Sequence, residues 1–134
     1  MHSHTFQYPL TIKETHLDTF GHVNNATYLV LFEEARWEII SNRDYGLEKI
    51  KETGLGPTIL DIKIRYAKEL KARDKVVIET RTASYVRKIG KIIQEIWRGD
   101  EVCCTAEFTM GLFDIKARKL VLPTADWLKA LGLL

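Results

Sequence analysis

The segment Asn24-Asn25-Ala26-Thr27-Tyr28-Leu29-Val30-Leu31-Phe32-Glu33-Glu34-Ala35-Arg36-Trp37-Glu38-Ile39-Ile40 decides the fold. Tyr28, Leu31, Phe32, Ala35 and Ile39 recur at spacings of three and four, the period of one helical face. Leu29, Val30, Trp37 and Ile40 add apolar surface on the other sides, so the spacing predicts a helix buried nearly all round. Asn24 or Asn25 supplies a start cap and Gly46 a stop, giving about 20 residues and ~30 Å. Glu33 and Glu34 fall on this helix, where an unpaired carboxylate is costly, so one of them is expected to neutralise an arginine elsewhere or to face the site, a structural or supporting pairing being the favoured reading.

Outward from the helix, Phe6 to Thr15 reads as a strand with Pro9 at an edge. Beyond Gly54-Leu55-Gly56-Pro57 the period becomes two. Leu60, Ile62, Ile64 and Tyr66 alternate with Asp61, Lys63 and Arg65, the pattern of a half-buried strand. Val76 to Val86 and Lys91 to Arg98 follow, and Gly99-Asp100 marks a turn. Val102, Cys104, Ala106, Phe108, Met110 and Leu112 then form a long alternating strand, and Pro123 to Leu128 a short capped helix. Strand, long buried helix and four strands joined by short turns predict an α+β fold, an antiparallel sheet curved around one helix. The outer face, carrying Asp61, Lys63, Arg65 and Glu79, is expected to be wet.

The chain has 134 residues, which fits one domain over 1–134. Its 20 basic and 18 acidic side chains leave a net charge of +2, too small for a nucleic-acid binder. With no apolar run near the ~18 residues of a membrane span and no secretory pattern at Met1 to Gln7, a soluble cytoplasmic protein is expected. Cys103 and Cys104 are adjacent, so on a strand one is expected inside and one outside, both reduced. His2, His4, His16 and His22 lack metal-ligand spacing, and no metal site is expected.

Chemistry concentrates between Asp18 and Asn25. A carboxylate sits seven residues before a helix start, across a loop containing Gly21. The first amides of a helix have no internal partners and, with the helix dipole, favour negative charge. A loop that folds back brings Asp18 to face those amides across a gap fit for a carbonyl group, which the amides polarise while Asp18 attacks or activates water. The plainer alternative makes Asp18 a turn cap and Asn24-Asn25 helix caps. His22 is either a proton shuttle or a structural tie for the loop.

Asp18-x-x-Gly21-His22-Val23-Asn24-Asn25-x-x-Tyr28-Leu29, followed by Phe32-Glu33-x-Ala35-Arg36, resembles the signature of hotdog-fold acyl thioesterases, in particular the 4-hydroxybenzoyl-CoA thioesterase-like family. The resemblance extends over nearly the whole chain. It implies a curved sheet around a central helix, edge-to-edge dimers and often tetramers. It also implies hydrolysis of acyl-coenzyme A thioesters with no metal or redox cofactor. By residue it makes Asp18 the catalytic aspartate and the backbone amide of Asn25 the group that polarises the carbonyl, with Gly21, Asn24 and Tyr28 as substrate contacts. Some relatives carry histidine at the second position and a tyrosine or other polar group four residues before the aspartate. Here these are Asn25 and Glu14. Relatives acting on acyl-carrier-protein esters carry asparagine where this chain has Phe20. Arg87, Lys88 and Lys91, around Gly90, are expected to meet the coenzyme A phosphates. Three alternatives stay open: a non-catalytic acyl-coenzyme A module, an acyl-carrier-protein thioesterase, and a hydroxyacyl dehydratase built on His22 and Glu33.

Overall fold

The computed structural model describes residues 3–134; His2 lies outside them. The elements are β1 (Phe6–Thr11), α1 (Asn25–Asn42), α2 (Leu47–Thr53), β2 (Leu55–Tyr66), β3 (Lys75–Val86), β4 (Ile89–Arg98), β5 (Glu101–Asp114), β6 (Lys119–Val121) and α3 (Ala125–Ala130). All strand pairs are antiparallel, in one sheet of order β1-β3-β4-β5-β2 with β6 added to β5. This is the expected α+β hotdog architecture, with α2 and β6 as elements that the sequence pattern did not reveal. Among the described residues no helix is long and apolar enough to cross a membrane.

Helix α1 starts where the Asn24 side chain accepts the Ala26 N–H at 2.9 Å. It buries Tyr28, Leu31, Phe32, Ala35 and Ile40, and Phe32 meets Phe108 of β5 edge-on at 5.8 Å. The helix is not enclosed all round, because Val30 is 61% exposed and Glu33 and Glu34 stand in solvent. One sheet covers one side of a helix, and the flank opposite stays open. Among the described residues Glu34 pairs with no arginine; it accepts the Tyr8 hydroxyl at 2.5 Å, which, with burial second, pushes that phenol up to about 12. The helix also stops earlier than expected. Asp44 takes a left-handed conformation at φ 65, and Tyr45 turns inward with its N–H on the Ile40 carbonyl at 2.7 Å. Gly46 therefore caps the start of α2 rather than ending α1.

Two β-bulges correct the strand reading. In β2 the register shifts between Ile59 and Asp61, so Leu60 leaves the inner row, which consists of Ile59, Ile62, Ile64 and Tyr66. Ile59, Leu60, Ile62 and Tyr66 are all exposed, because β2 is an edge strand and no strand among the described residues pairs with its far side. In β5 the shift falls at Cys103, opposite the step from Ile96 to Trp97. The bulge turns Cys103 inward beside Cys104, and both are 0% exposed and unbridged. Burial raises both thiols, Cys104 to about 12.

One polar network crosses the apolar layer. Gln94 of β4 is 0% exposed; its amide donates to the Phe32 carbonyl at 3.1 Å and to Thr80 Oγ1 at 2.9 Å. Its oxygen accepts from Arg36 Nη1 at 2.8 Å, and the Arg36 guanidinium lies 4.3 Å from the Phe108 ring centroid. Burial lowers Arg36 to about 10. The central helix is thereby bolted to the middle of the sheet.

Candidate active site

Residues 16–24 fold into a small hairpin. Asn24 N–H donates to the His16 carbonyl at 3.2 Å, Leu17 bridges Val23, and Asp18 N–H donates to the His22 carbonyl at 2.9 Å. The turn closes with Gly21 N–H on the Asp18 carbonyl at 3.1 Å, and Gly21 has φ +83, a conformation that favours glycine. Gly21 therefore shapes the loop through its backbone. The loop folds back, so that the hairpin carrying the carboxylate runs directly into the start of α1.

Asp18 is half-buried. Its Oδ1 accepts Phe20 N–H at 2.8 Å and His22 N–H at 3.4 Å, whereas Oδ2 takes no hydrogen bond among the described residues. The carboxylate thus caps the turn with one oxygen and keeps the other available. Asn25 is the first residue of α1. Its carbonyl accepts the Tyr66 hydroxyl at 2.9 Å, and its N–H meets no acceptor among the described residues. Asn24 is committed to capping. Tyr28 is buried, its ring edge-on to Tyr66 at 5.1 Å, and sits behind the helix start rather than on an open surface. Phe20, at the hairpin tip, is 84% exposed.

His22 Nε2 lies 3.0 Å from Glu69 Oε2, which ties the hairpin to the β2–β3 connection, as does Val23 N–H on the Leu70 carbonyl at 3.0 Å. Glu14 is engaged by Arg73 through two hydrogen bonds of 2.7 and 3.0 Å. A backbone hydrogen bond first, and Arg73 second, hold its carboxyl below the ordinary range.

Arg98 braces the same connection, donating to the Glu69 carbonyl at 3.0 Å, Asp74 Oδ2 at 2.9 Å and Glu101 Oε1 at 2.6 Å. Burial works to raise Asp74, but the Lys71 amide and Arg98 outweigh it and the carboxyl sits low; Arg98 holds Glu101 low directly. A depressed carboxyl stabilises the fold fully above its unfolded pKa and loses that contribution as pH falls through the folded value. Urea midpoints of the native chain should therefore decline below the ordinary carboxylate range. Arg98→Gln should be less stable at neutral pH and converge with the native chain as the pH drops. A constant gap between the two down to strongly acid pH would contradict this linkage.

Arg87 and Lys88 form the exposed β3–β4 turn, with Arg87 at φ 55, and Lys91 lies on the outer face 3.8 Å from Glu107. The Asp18 hairpin is fixed at the opposite end of β3, near Leu70 and Asp74. At 3.3 Å per residue the turn stands roughly 35 Å away along the strand. One chain therefore gathers Asp18, Gly21, His22, Asn24, Asn25 and Tyr28 but not these cations. Under the C-terminal half of α1 lies an apolar cavity of about 90 Å³, lined among others by Arg36, Trp37, Ile40, Ile59, Met110 and Trp127. The roles of Tyr66, Glu69 and the Arg36–Gln94 pair escape a reading of the sequence because each acts across elements. The local signals are Tyr66 at the end of an alternating strand and Arg36 at the end of the helix signature.

The family described as the thioesterase-like superfamily matches residues 13–131. The chain is 30% identical over 115 residues to the long-chain acyl-CoA thioesterase FadM of Escherichia coli (strain K12), covering 84% of this chain and 86% of that protein. Its structure is similar to that of YbaW, a probable thioesterase from Escherichia coli, with TM-score 0.83 and 26% identity over 95% and 96% of the two chains. The fold also matches SAV2348 of Staphylococcus aureus, solved in complex with CoA, at TM-score 0.88 and 16% identity over 97% of this chain and 83% of that one.

Proposed function

This chain belongs to the thioesterase-like superfamily and is a thioester hydrolase, and from that premise we propose that it hydrolyses acyl-coenzyme A thioesters at the Asp18 hairpin. The observation that carries the reading is two groups without hydrogen-bond partners among the described residues, Oδ2 of Asp18 on the hairpin and the N–H of Asn25 at the helix start into which the hairpin leads. The Asn25 amide, at the positive end of the α1 dipole, receives the thioester carbonyl oxygen and the negative charge that grows on it. Asp18 Oδ2 either takes a proton from water as that water adds to the carbonyl carbon, or adds to the carbon itself. The C–S bond then breaks and coenzyme A departs as thiolate. Direct attack leaves an acyl-aspartyl anhydride that water opens; both routes yield the free acid and coenzyme A. His22, paired with Glu69, holds the hairpin rather than shuttling the proton.

The acyl chain runs along α1 toward the apolar cavity. Arg36 on its wall is eleven residues past Asn25, about 16 Å along the helix axis, so filling the cavity from the hairpin calls for an extended chain. The name of the FadM relative, a long-chain thioesterase, agrees with this. The open edge of β2, with Ile59, Leu60, Ile62 and Tyr66 exposed, pairs with the same edge of a second copy. Antiparallel pairing turns that copy end for end, so Arg87 and Lys88 of the partner subunit come to the end of the sheet that carries Asp18. Phosphate contacts are thus made between subunits. No metal or redox cofactor enters this reading.

The test is a panel of acyl-coenzyme A esters with a thiol-trapping dye, run beside acyl-carrier-protein esters. Thiol release that rises with chain length on coenzyme A is the expected result. Saturable binding without release would make the chain a binding module, and loss of water from hydroxyacyl esters a dehydratase.

A further inference from the structure

The helix start that receives the carbonyl is held from outside the helix. Asn25 is the first residue of α1, where the N–H groups lack intrahelical acceptors and ends fray. Its carbonyl accepts the Tyr66 hydroxyl at 2.9 Å, from the last residue of β2. Tyr66 is itself braced. Its ring meets buried Tyr28 edge-on at 5.1 Å, and the next two amides, Ala67 and Lys68, donate to the Cys103 carbonyl at 2.9 and 3.0 Å. That carbonyl belongs to the β5 bulge, so the bulge, the strand end and the first peptide of α1 form one connected path. Burial, with Cys104 second, raises the Tyr66 phenol above its ordinary value, so it stays a hydroxyl donor through the neutral range.

Resting on the reading above, we propose that Tyr66 is a positioning residue for hydrolysis: it fixes the Asn25–Ala26 peptide and through it the Asn25 Cα, so that the Asn25 N–H in the preceding peptide keeps its aim at the thioester carbonyl. The hydroxyl does not touch the reacting atoms; it acts through the Asn25 carbonyl. Oriented donors contribute to catalysis through small geometric tolerances, and a displacement near 1 Å costs up to about a hundredfold.

Tyr66→Phe keeps the ring and its contact with Tyr28 and removes one hydroxyl. The kcat should fall about tenfold, with KM within about twofold. The second readout uses the acyl-coenzyme A turned over fastest in the panel, synthesised with ¹³C at its carbonyl and bound to Asp18→Asn, which stalls turnover. The carbonyl stretch should shift to lower frequency on binding, and by less in Asp18→Asn/Tyr66→Phe. A native kcat in Tyr66→Phe, or an unchanged carbonyl shift with only the melting temperature lowered, overturns the positioning role while the hydrolase reading stands. Full turnover by Asp18→Asn, or no carbonyl shift in the presence of Tyr66, overturns the hairpin reading and this inference with it.

Discussion

Asp18→Asn should lower turnover of acyl-coenzyme A by ~10²–10⁴-fold, the loss typical of removing a positioned base, while KM changes little. The substitution is chosen for what it preserves. The asparagine oxygen can still accept the Phe20 N–H that Asp18 Oδ1 takes at 2.8 Å, so the turn closed by Gly21 survives. What changes is the second oxygen, unpartnered among the described residues, which becomes an NH₂ donor unable to accept a proton or attack a carbonyl. A melting temperature close to native would locate the loss in chemistry. Turnover near native in a folded Asp18→Asn protein would remove the carboxylate from the mechanism and leave it as a turn cap. In labelled water, a single turnover that leaves the label in Asp18 identifies direct attack, with the anhydride opened at the aspartyl carbon; label found only in the released acid is the outcome of base-assisted water or of an anhydride opened at the acyl carbon, and trapping the anhydride with hydroxylamine tells those two apart.

The helix and alternating strands were readable because their signals are local. Tyr28, Leu31, Phe32 and Ala35 face the sheet as their spacing predicts, and Cys104, Ala106, Phe108, Met110 and Leu112 are all buried. The errors share one cause: contacts between elements that period-counting does not see. A bulge is one extra residue, so Leu60 kept the parity of its neighbours on paper while its strand changed phase. The extra residue at Cys103 likewise puts both adjacent cysteines inside, where strict alternation predicts one inside and one outside. Strand β2 is more exposed than its pattern predicts, because alternation marks an apolar face without saying whether a neighbouring strand covers it. Helix α1 ends where Tyr45 turns inward, 5.1 Å from Trp127, and Asp44 rather than a glycine adopts the left-handed residue.

The candidate site divides in the same way. Asp18, Gly21 and Asn24 lie within one hairpin and Asn25 follows directly at the helix start, so they are neighbours along the chain and spacing suffices to bring them together. Arg87 and Lys88 carry a charge signal with no distance in it, and β3 holds them at the far end of the sheet. Tyr66 and Glu69 meet the hairpin only after the sheet forms. The hairpin's stability is consequently borrowed from the sheet: its anchors are Glu69 and Leu70, which Arg98 and the Cys103 bulge fix in turn. A loop carrying Phe20 in solvent thus stays ordered at its base.

The largest stability effect should come from Gln94→Leu. The substitution is close in volume and apolar, so area arithmetic alone would call it mild. It removes the acceptor of a largely buried guanidinium, and hydrogen bonds to charged groups contribute about 1.5–3 kcal/mol. It also deprives Thr80 Oγ1 and the Phe32 carbonyl of a donor. A loss of roughly 2–4 kcal/mol is expected from urea unfolding, because an unpaired buried charge costs far more than a paired one is worth. Arg36→Met alone should cost less, since it leaves a neutral amide that still donates to Phe32 and Thr80, and methionine fills the space over Phe108. The double variant Arg36→Met/Gln94→Leu should then be more stable than the sum of the two losses by at least about 1 kcal/mol, because no charge is left to satisfy. Strict additivity of the two substitutions would show that the guanidinium draws nothing from Gln94. The bolt between α1 and the sheet would then reside in the apolar contacts of Phe32 and Phe108.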